Sequence, residues 1–200
     1  MSWERFIALL RTTVTDPRQA GSDVIALRWP AQGLWIALML ISVVLSLMVS
    51  GLLHAVGLPP DEMGELLRMS PAYRAPLLFA LLNWGQALVS VFVLHGTGRM
   101  LGGEGALEDM LAVLIWLQVV SVVLAVGLFL VGVLLPMIAG LLLLVAFFWG
   151  IWATIGLVDA AGRFNNMFKA LGVCFLSVVA VSIIMTMLSA LVNGLVTRGG

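Results

Sequence analysis

Few residues in this 200-residue chain carry side chains able to do chemistry, and most of those are uncharged. Asp159 closes a long apolar run, with Arg163 four residues later. On a helix that spacing gives an i,i+4 ion pair at a helix end. The sharper alternative is coupling to a proton or substrate, because ionisable groups within a membrane are costly and mark function by default. Neutral polar residues recur at helical spacing: Asn83, Gln86 and Ser90; Ser182, Thr186, Ser189 and Asn193; Ser42, Ser46 and Ser50; Ala146, Gly150 and Thr154; and Gln118 with Ser121. In lipid such faces pack helix on helix, with small residues allowing close approach and amides bonding across the contact. Packing is the expected reading; the sharper alternative is a polar cavity for a lipid headgroup or small solute, and nothing in the sequence separates the two.

The remaining candidates lead away from catalysis. His54 and His95 stand alone, with no second ligand at metal spacing, and are expected in packing or interfacial roles. Cys174, the single cysteine, lies in an apolar run and reads as a small packed residue. The stretch GTGRMLGGEG has glycines like a phosphate loop but lacks the GKS/T ending and a preceding strand, so it is expected to be a turn. No Ser-His-Asp, Cys-His or paired-carboxylate arrangement is present. Neither catalytic, cofactor-binding nor metal-binding residues are expected, and no cofactor.

The elements that hold these residues follow from composition. Hydrophobic residues make up 62% and charged residues 10%, and mean hydropathy is +1.15. Soluble domains average about 45–50% apolar and about 25% charged. That excludes a soluble enzyme, a nucleic-acid-binding domain and a disordered chain, and leaves an integral membrane protein. Net charge is zero, so no acidic or basic partner is indicated.

Crossing the hydrocarbon core takes roughly 20 apolar residues. The sequence predicts spans at about 32–56, 76–97, 108–133, 138–160 and 170–194. Met110 to Val158 holds no charge, and as one helix would be about 74 Å long against a core of about 30 Å. It must fold back, and Pro136 is the evident breaker. The 57–76 segment, with four prolines and alternating charges, reads as a loop with one short amphipathic turn.

Residues 1–30 form a separate amphipathic segment. Phe6, Leu9, Leu10 and Thr13 share a helical face, Asp16-Pro17 reads as an N-cap with proline following, and Trp29-Pro30 ends the second helix. These short helices are expected in the membrane interface, covering the ends of the spans, with Trp3, Trp29 and Trp35 as anchors. No signal peptide is visible, and the N-terminus is expected to be kept. With the N-terminus inside, seven Lys and Arg (Arg5, Arg11, Arg18, Arg28, Arg99, Arg163, Lys169) face the cytoplasm against three (Arg68, Arg74, Arg198). A four-span chain gives a weaker six against four. The fold class is therefore all-α, with five transmembrane helices in residues 31–200, the N-terminus cytoplasmic and the C-terminus opposite.

Three stretches carry a family resemblance: DPRQAGSDVIAL before span one, LHGTGRMLGGEGALEDMLAVLIW between spans two and three, and GLVDAAGRFNNMFKALGVCFL between spans four and five. With the glycine turn of Gly102, Gly103 and Gly105, and Lys169, Ala170 and Leu171 opening the last helix, the chain resembles a bacterial-type member of the Yip (Ypt-interacting protein) domain family. The resemblance implies a five-span helical membrane domain. Eukaryotic relatives act in vesicle trafficking, associate with Rab-type GTPases and with one another, and usually carry a longer soluble N-terminal region. This chain lacks that region, so GTPase binding is not expected. The family supplies no catalytic residues.

The expected function is non-enzymatic: a membrane-organising or scaffold protein of the bacterial inner membrane, acting through helix–helix and lipid contacts. The partners implied are the lipid bilayer and a second copy or other membrane proteins, with no nucleic acid. The alternative is a small-solute or lipid transporter using the polar stripes as a cavity. A recess lined by Asn83, Gln86 and Gln118 would favour that alternative.

Overall fold

Prolines and short polar residues decide where the helices start. The computed structural model describes residues 2–198, with side chains described as far as residue 188 apart from Val56 and Pro136. The expected site of the C-terminus, at Gly199 and Gly200, lies outside the described residues, as do the side chains of Ser189 and Asn193. Among the described residues every regular element is a helix: α1 (Trp3–Thr15), α2 (Pro17–Ala26), α3 (Ala31–Val56), α4 (Glu62–Met69), α5 (Pro71–Arg74), α6 (Pro76–Met100), α7 (Leu107–Leu134), α8 (Pro136–Gly162) and α9 (Met167–Arg198). Pro17, Pro71, Pro76 and Pro136 each open a helix, where a missing N–H costs nothing. Asp16 caps α2, accepting from the Gln19 amide at 3.0 Å, and Asp61 does the same for α4 through Gly64 at 3.0 Å.

Five helices, α3 and α6 to α9, are long and apolar enough to cross a membrane. The 110–158 run does fold back at Pro136, giving α7 and α8 as an antiparallel pair. Helix α3 packs against α6 and α7, while α9 packs against α6 and α8. The short α4 and α5 sit beyond one end of the α3–α6 pair, where the His54 ring stacks on Tyr73 with centroids 4.3 Å apart. That contact gives His54 its packing role.

The N-terminal segment forms the two expected helices, but it does more than cover the ends of the spans. α1 and α2 make a hairpin laid along α7 and α8. Thr13 is fully buried, its Oγ1 accepting from Trp116 Nε1 at 2.9 Å, and the Phe6 ring meets the Trp116 edge. At the hairpin tip the Val14 carbonyl accepts from Trp149 Nε1 at 3.4 Å. Trp149 lies thirteen residues before the end of α8, about 20 Å along its axis. Small residues permit the approach: a Cβ on Gly21 would stand 2.7 Å from Ala160 Cβ, and one on Gly156 would stand 2.8 Å from Pro17 Cγ. The hairpin, the α6–α7 loop and the α8–α9 loop thus gather at one end of the bundle, the docked end. Its core includes Leu9, Val24, Met110, Val113, Trp116, Leu157, Val158, Ala161 and Phe164. At the other, open end α7 and α8 expose most of their large apolar side chains from Val123 to Phe148.

Candidate functional site

Two groups of polar side chains stand out in this apolar scaffold. The first is at the docked end. Asp159 is 3% exposed, and its Oδ2 lies 3.1 Å from Arg18 Nε on α2. Its Oδ1 accepts from the Asn166 amide at 3.1 Å, and Arg18 also donates to Asn165 Oδ1. The i,i+4 pairing with Arg163 is not formed. Arg163 follows the last turn of α8 with φ 55, in the left-handed region, which takes its side chain off the helical register. It pairs instead with Asp109 at the start of α7, at 3.1 Å. Asp109 also accepts from the Ala106 amide at 3.2 Å, so one carboxylate caps α7 and ties it to α8.

Of the glycine stretch, Gly96 to Met100 is still the end of α6, and the expected turn is confined to the part from Leu101 onward. Gly102 has φ 84, and Gly105 lies so close to the Ala161 carbonyl that no Cβ fits. The Glu104 amide donates to the Gly162 carbonyl at 3.1 Å, closing the loop onto the end of α8.

The second group lies along α3, α6 and α7. Ser42, Ser46 and Ser50 are all buried. Asn83 Nδ2 donates to Ser46 Oγ at 2.9 Å, Ser46 Oγ donates to the Ser42 carbonyl at 2.7 Å, and Ser42 Oγ donates to Gln118 Oε1 at 3.2 Å. Span one's serine stripe is therefore a helix contact, cross-linking three spans. Beside it, α6 and α7 part to leave a recess of about 220 Å³. It is lined by Asn83, Gln86, Ser90 and Gln118 together with Leu38, Ala87, Leu114 and Leu117. The three amides named from the sequence do converge on one recess.

Two other stripes do not pack as expected. Ala146, Gly150 and Thr154 face a groove of about 540 Å³ between α7, α8 and α9 instead of meeting a helix. Ser182 and Thr186 are exposed, Thr186 donating back to the Ser182 carbonyl at 2.8 Å. The polar link that α9 does make was not on that stripe: buried Ser177 meets Thr97 of α6 at 2.7 Å. Thr13 with Trp116 was missed likewise. Ser177 and Thr97 lie on no polar stripe, and the face that holds Thr13 with Phe6, Leu9 and Leu10 does not name Trp116 as its partner. Among the described residues no group of His, Cys, Asp or Glu could hold a metal ion. Cys174 is half-buried in the wall of the groove.

Searches of curated proteins and of solved structures return no match. A family model described as the Yip1 domain matches residues 11–189, from α1 to α9. With five membrane-length helices and this match over most of its length, the chain belongs to the Yip1 domain family of membrane proteins.

Proposed function

We propose that this protein is a non-enzymatic membrane organiser whose working surface is the docked end. It lies in the bacterial inner membrane with that end cytoplasmic, in keeping with the seven-to-three distribution of Lys and Arg. The division into an N-terminal segment of residues 1–30 and a membrane domain of 31–200 belongs to this reading. The observation that carries it is the ion pair between buried Asp159 and half-exposed Arg18. In a chain with so few charges, one carboxylate is buried to fasten the N-terminal hairpin to α8. The outer face of that hairpin offers Arg5, Arg11, Gln19 and Ser22 to a partner. The partner is a second copy or another membrane protein, not nucleic acid.

The test is photo-crosslinking in cells from positions 11 and 22, with Leu81 and Phe92 on the exposed faces of the spans as controls. Discrete protein adducts from the hairpin alone are expected. Lipid adducts only, from all four positions, overturn the proposal.

A second reading is favoured by the amide recess: uncharged small solutes or lipids enter the bundle between α6 and α7. The two readings are compatible, because the recess and the hairpin's outer face are separate surfaces.

A further inference from the structure

We infer that the recess between α6 and α7, with the groove beside it, is a binding site for one uncharged, hydroxyl-bearing glycerolipid of the diacylglycerol class. This rests on the second reading and names its ligand. Three features carry it.

The first is unspent hydrogen-bonding capacity. Asn83 uses its Nδ2 on Ser46, and Gln118 uses its Oε1 on Ser42. Among the described residues no protein partner meets Asn83 Oδ1, Gln118 Nε2 or the Gln86 amide, and the Ser90 hydroxyl is turned to the Gln86 carbonyl at 2.8 Å. Gln118 is eleven residues into α7 and Gln86 fourteen from the end of α6, about 17 and 21 Å along their axes. Gln86 is exposed and Asn83 and Gln118 are half-buried, so the free amide atoms face the open side of the recess, where lipid offers them no partner. Donors and acceptors are both free, so the ligand must offer both. A hydroxyl beside an ester carbonyl does so, whereas a head with carbonyls alone leaves Asn83 Oδ1 unmet.

The second is charge. Among the described residues no Asp, Glu, Lys or Arg lines the recess or the groove. A phosphodiester held here would find no cation in the lining to compensate it. An uncharged glycerolipid needs none.

The third is the apolar continuation. Leu117 lines both cavities, and Leu114, Leu117, Ser121 and Leu124 form one stripe of α7 running from the recess into the groove. There Phe147, Phe175 and Val178 supply apolar wall, and a Cβ on Gly150 would meet nothing within 4 Å. The groove's roughly 540 Å³ falls within the usual range for ligand sites. One acyl chain lies in it while the polar end sits on the amides and the second chain stays in the bilayer.

The experiment uses the full chain in phosphatidylcholine nanodiscs with a diacylglycerol carrying a diazirine on one acyl chain. Saturable labelling on the groove residues of α7, α8 and α9 is expected. Unlabelled diacylglycerol should compete, and phosphatidylglycerol of the same chains should not. Gln86→Leu should weaken labelling about fivefold, the value of one net hydrogen bond. Gly150→Leu should abolish it by filling the groove while leaving the amides in place. Both substituted positions border open space, and unchanged thermal unfolding certifies each variant's fold.

Even labelling of all lipid-facing surfaces, equal competition by phosphatidylglycerol, or indifference to both variants overturns the inference. A parallel measurement of radiolabelled glycerol entering proteoliposomes separates it from the reading beneath. Glycerol entry blocked by Gln86→Leu without diacylglycerol labelling keeps a solute path and sinks the lipid. Neither signal sinks both, leaving the recess as a water-filled gap.

Discussion

The two ends of the α7–α8 pair are both rich in apolar residues and have opposite surroundings. At the docked end Met110, Leu111, Val113, Trp116 and Val120 of α7, and Ala153, Leu157, Val158 and Ala161 of α8, are buried in protein. Further along the same helices Val126, Leu130, Leu134, Leu141, Leu144 and Phe148 are exposed. Apolarity does not choose between these fates, because lipid satisfies a leucine as well as another leucine does. The buried end has glycines at the close approaches, polar groups paired across helices and a compensated carboxylate. The open end has bulky side chains pointing outward. Association in this protein is decided by small residues and polar pairs, and the predictions below are ordered by how strongly each tests that difference.

The largest effect belongs to Arg18→Ala. It leaves Asp159 buried with only the Asn166 amide for company. Breaking a buried pair by removing one partner costs about 3–5 kcal/mol, and the lower end applies because the Arg18 side chain is 49% exposed. The N-terminal hairpin should detach, seen as fast hydrogen exchange over residues 5–26 in nanodiscs. Adding Asp159→Leu to Arg18→Ala should recover part of the loss, since no charge is then left unpaired. Protection unchanged in the single variant would show that the hairpin is held by packing alone.

That ion pair also marks the boundary of what was legible in the chain. The all-helical class and the five spans follow from hydropathy, from the length of the 110–158 run and from Pro136. The start of α2 was written in Asp16 and Pro17, because a cap acts within one turn. What Asp159 would pair with was not written there. Its neighbour in sequence is Arg163, and its neighbour in space, Arg18, is 141 residues away on a helix whose docking depends on Gly21 and Gly156. The amide recess was half legible. Spacing put Asn83, Gln86 and Ser90 on one face and named Gln118, but whether that face closed or parted depended on α6 and α7 leaning on α3 together. The stripe on α8 misled for the same reason: small residues permit a contact without providing one.

Ser46→Leu comes next. Ser46 is fully buried, accepts from Asn83 and donates to the Ser42 carbonyl. One polar contact in a membrane is worth about 0.6 kcal/mol on average, and forcing a larger side chain into a packed site adds about 1–3 kcal/mol. A lower unfolding temperature in detergent is expected. An unchanged one would mean that α3 and α6 separate at no cost there. Trp116→Phe is milder: it keeps the ring against Phe6 and removes the hydrogen bond to Thr13, for about 1 kcal/mol. Exchange protection of α1 should fall without loss of the spans.

The smallest effect is the sharpest test, because it applies one substitution to both regions on a single helix. Alanine is favoured over glycine in a helix interior by about 1 kcal/mol. At Gly150 the new methyl meets nothing within 4 Å, so Gly150→Ala should stabilise the protein by up to that amount. At Gly156, six residues on, the same methyl would stand 2.8 Å from Pro17 Cγ and 3.2 Å from the Arg18 backbone nitrogen. Neither is the free end of a flexible side chain, so the hairpin must retreat from α8. That retreat lengthens the Arg18–Asp159 contact as well as losing packing. Gly156→Ala should therefore destabilise despite the better helix former, and the two unfolding shifts in detergent should have opposite signs. Two shifts of the same sign would show that the docked end is no more tightly packed than the open one, and the contrast between them would rest on polar pairs alone.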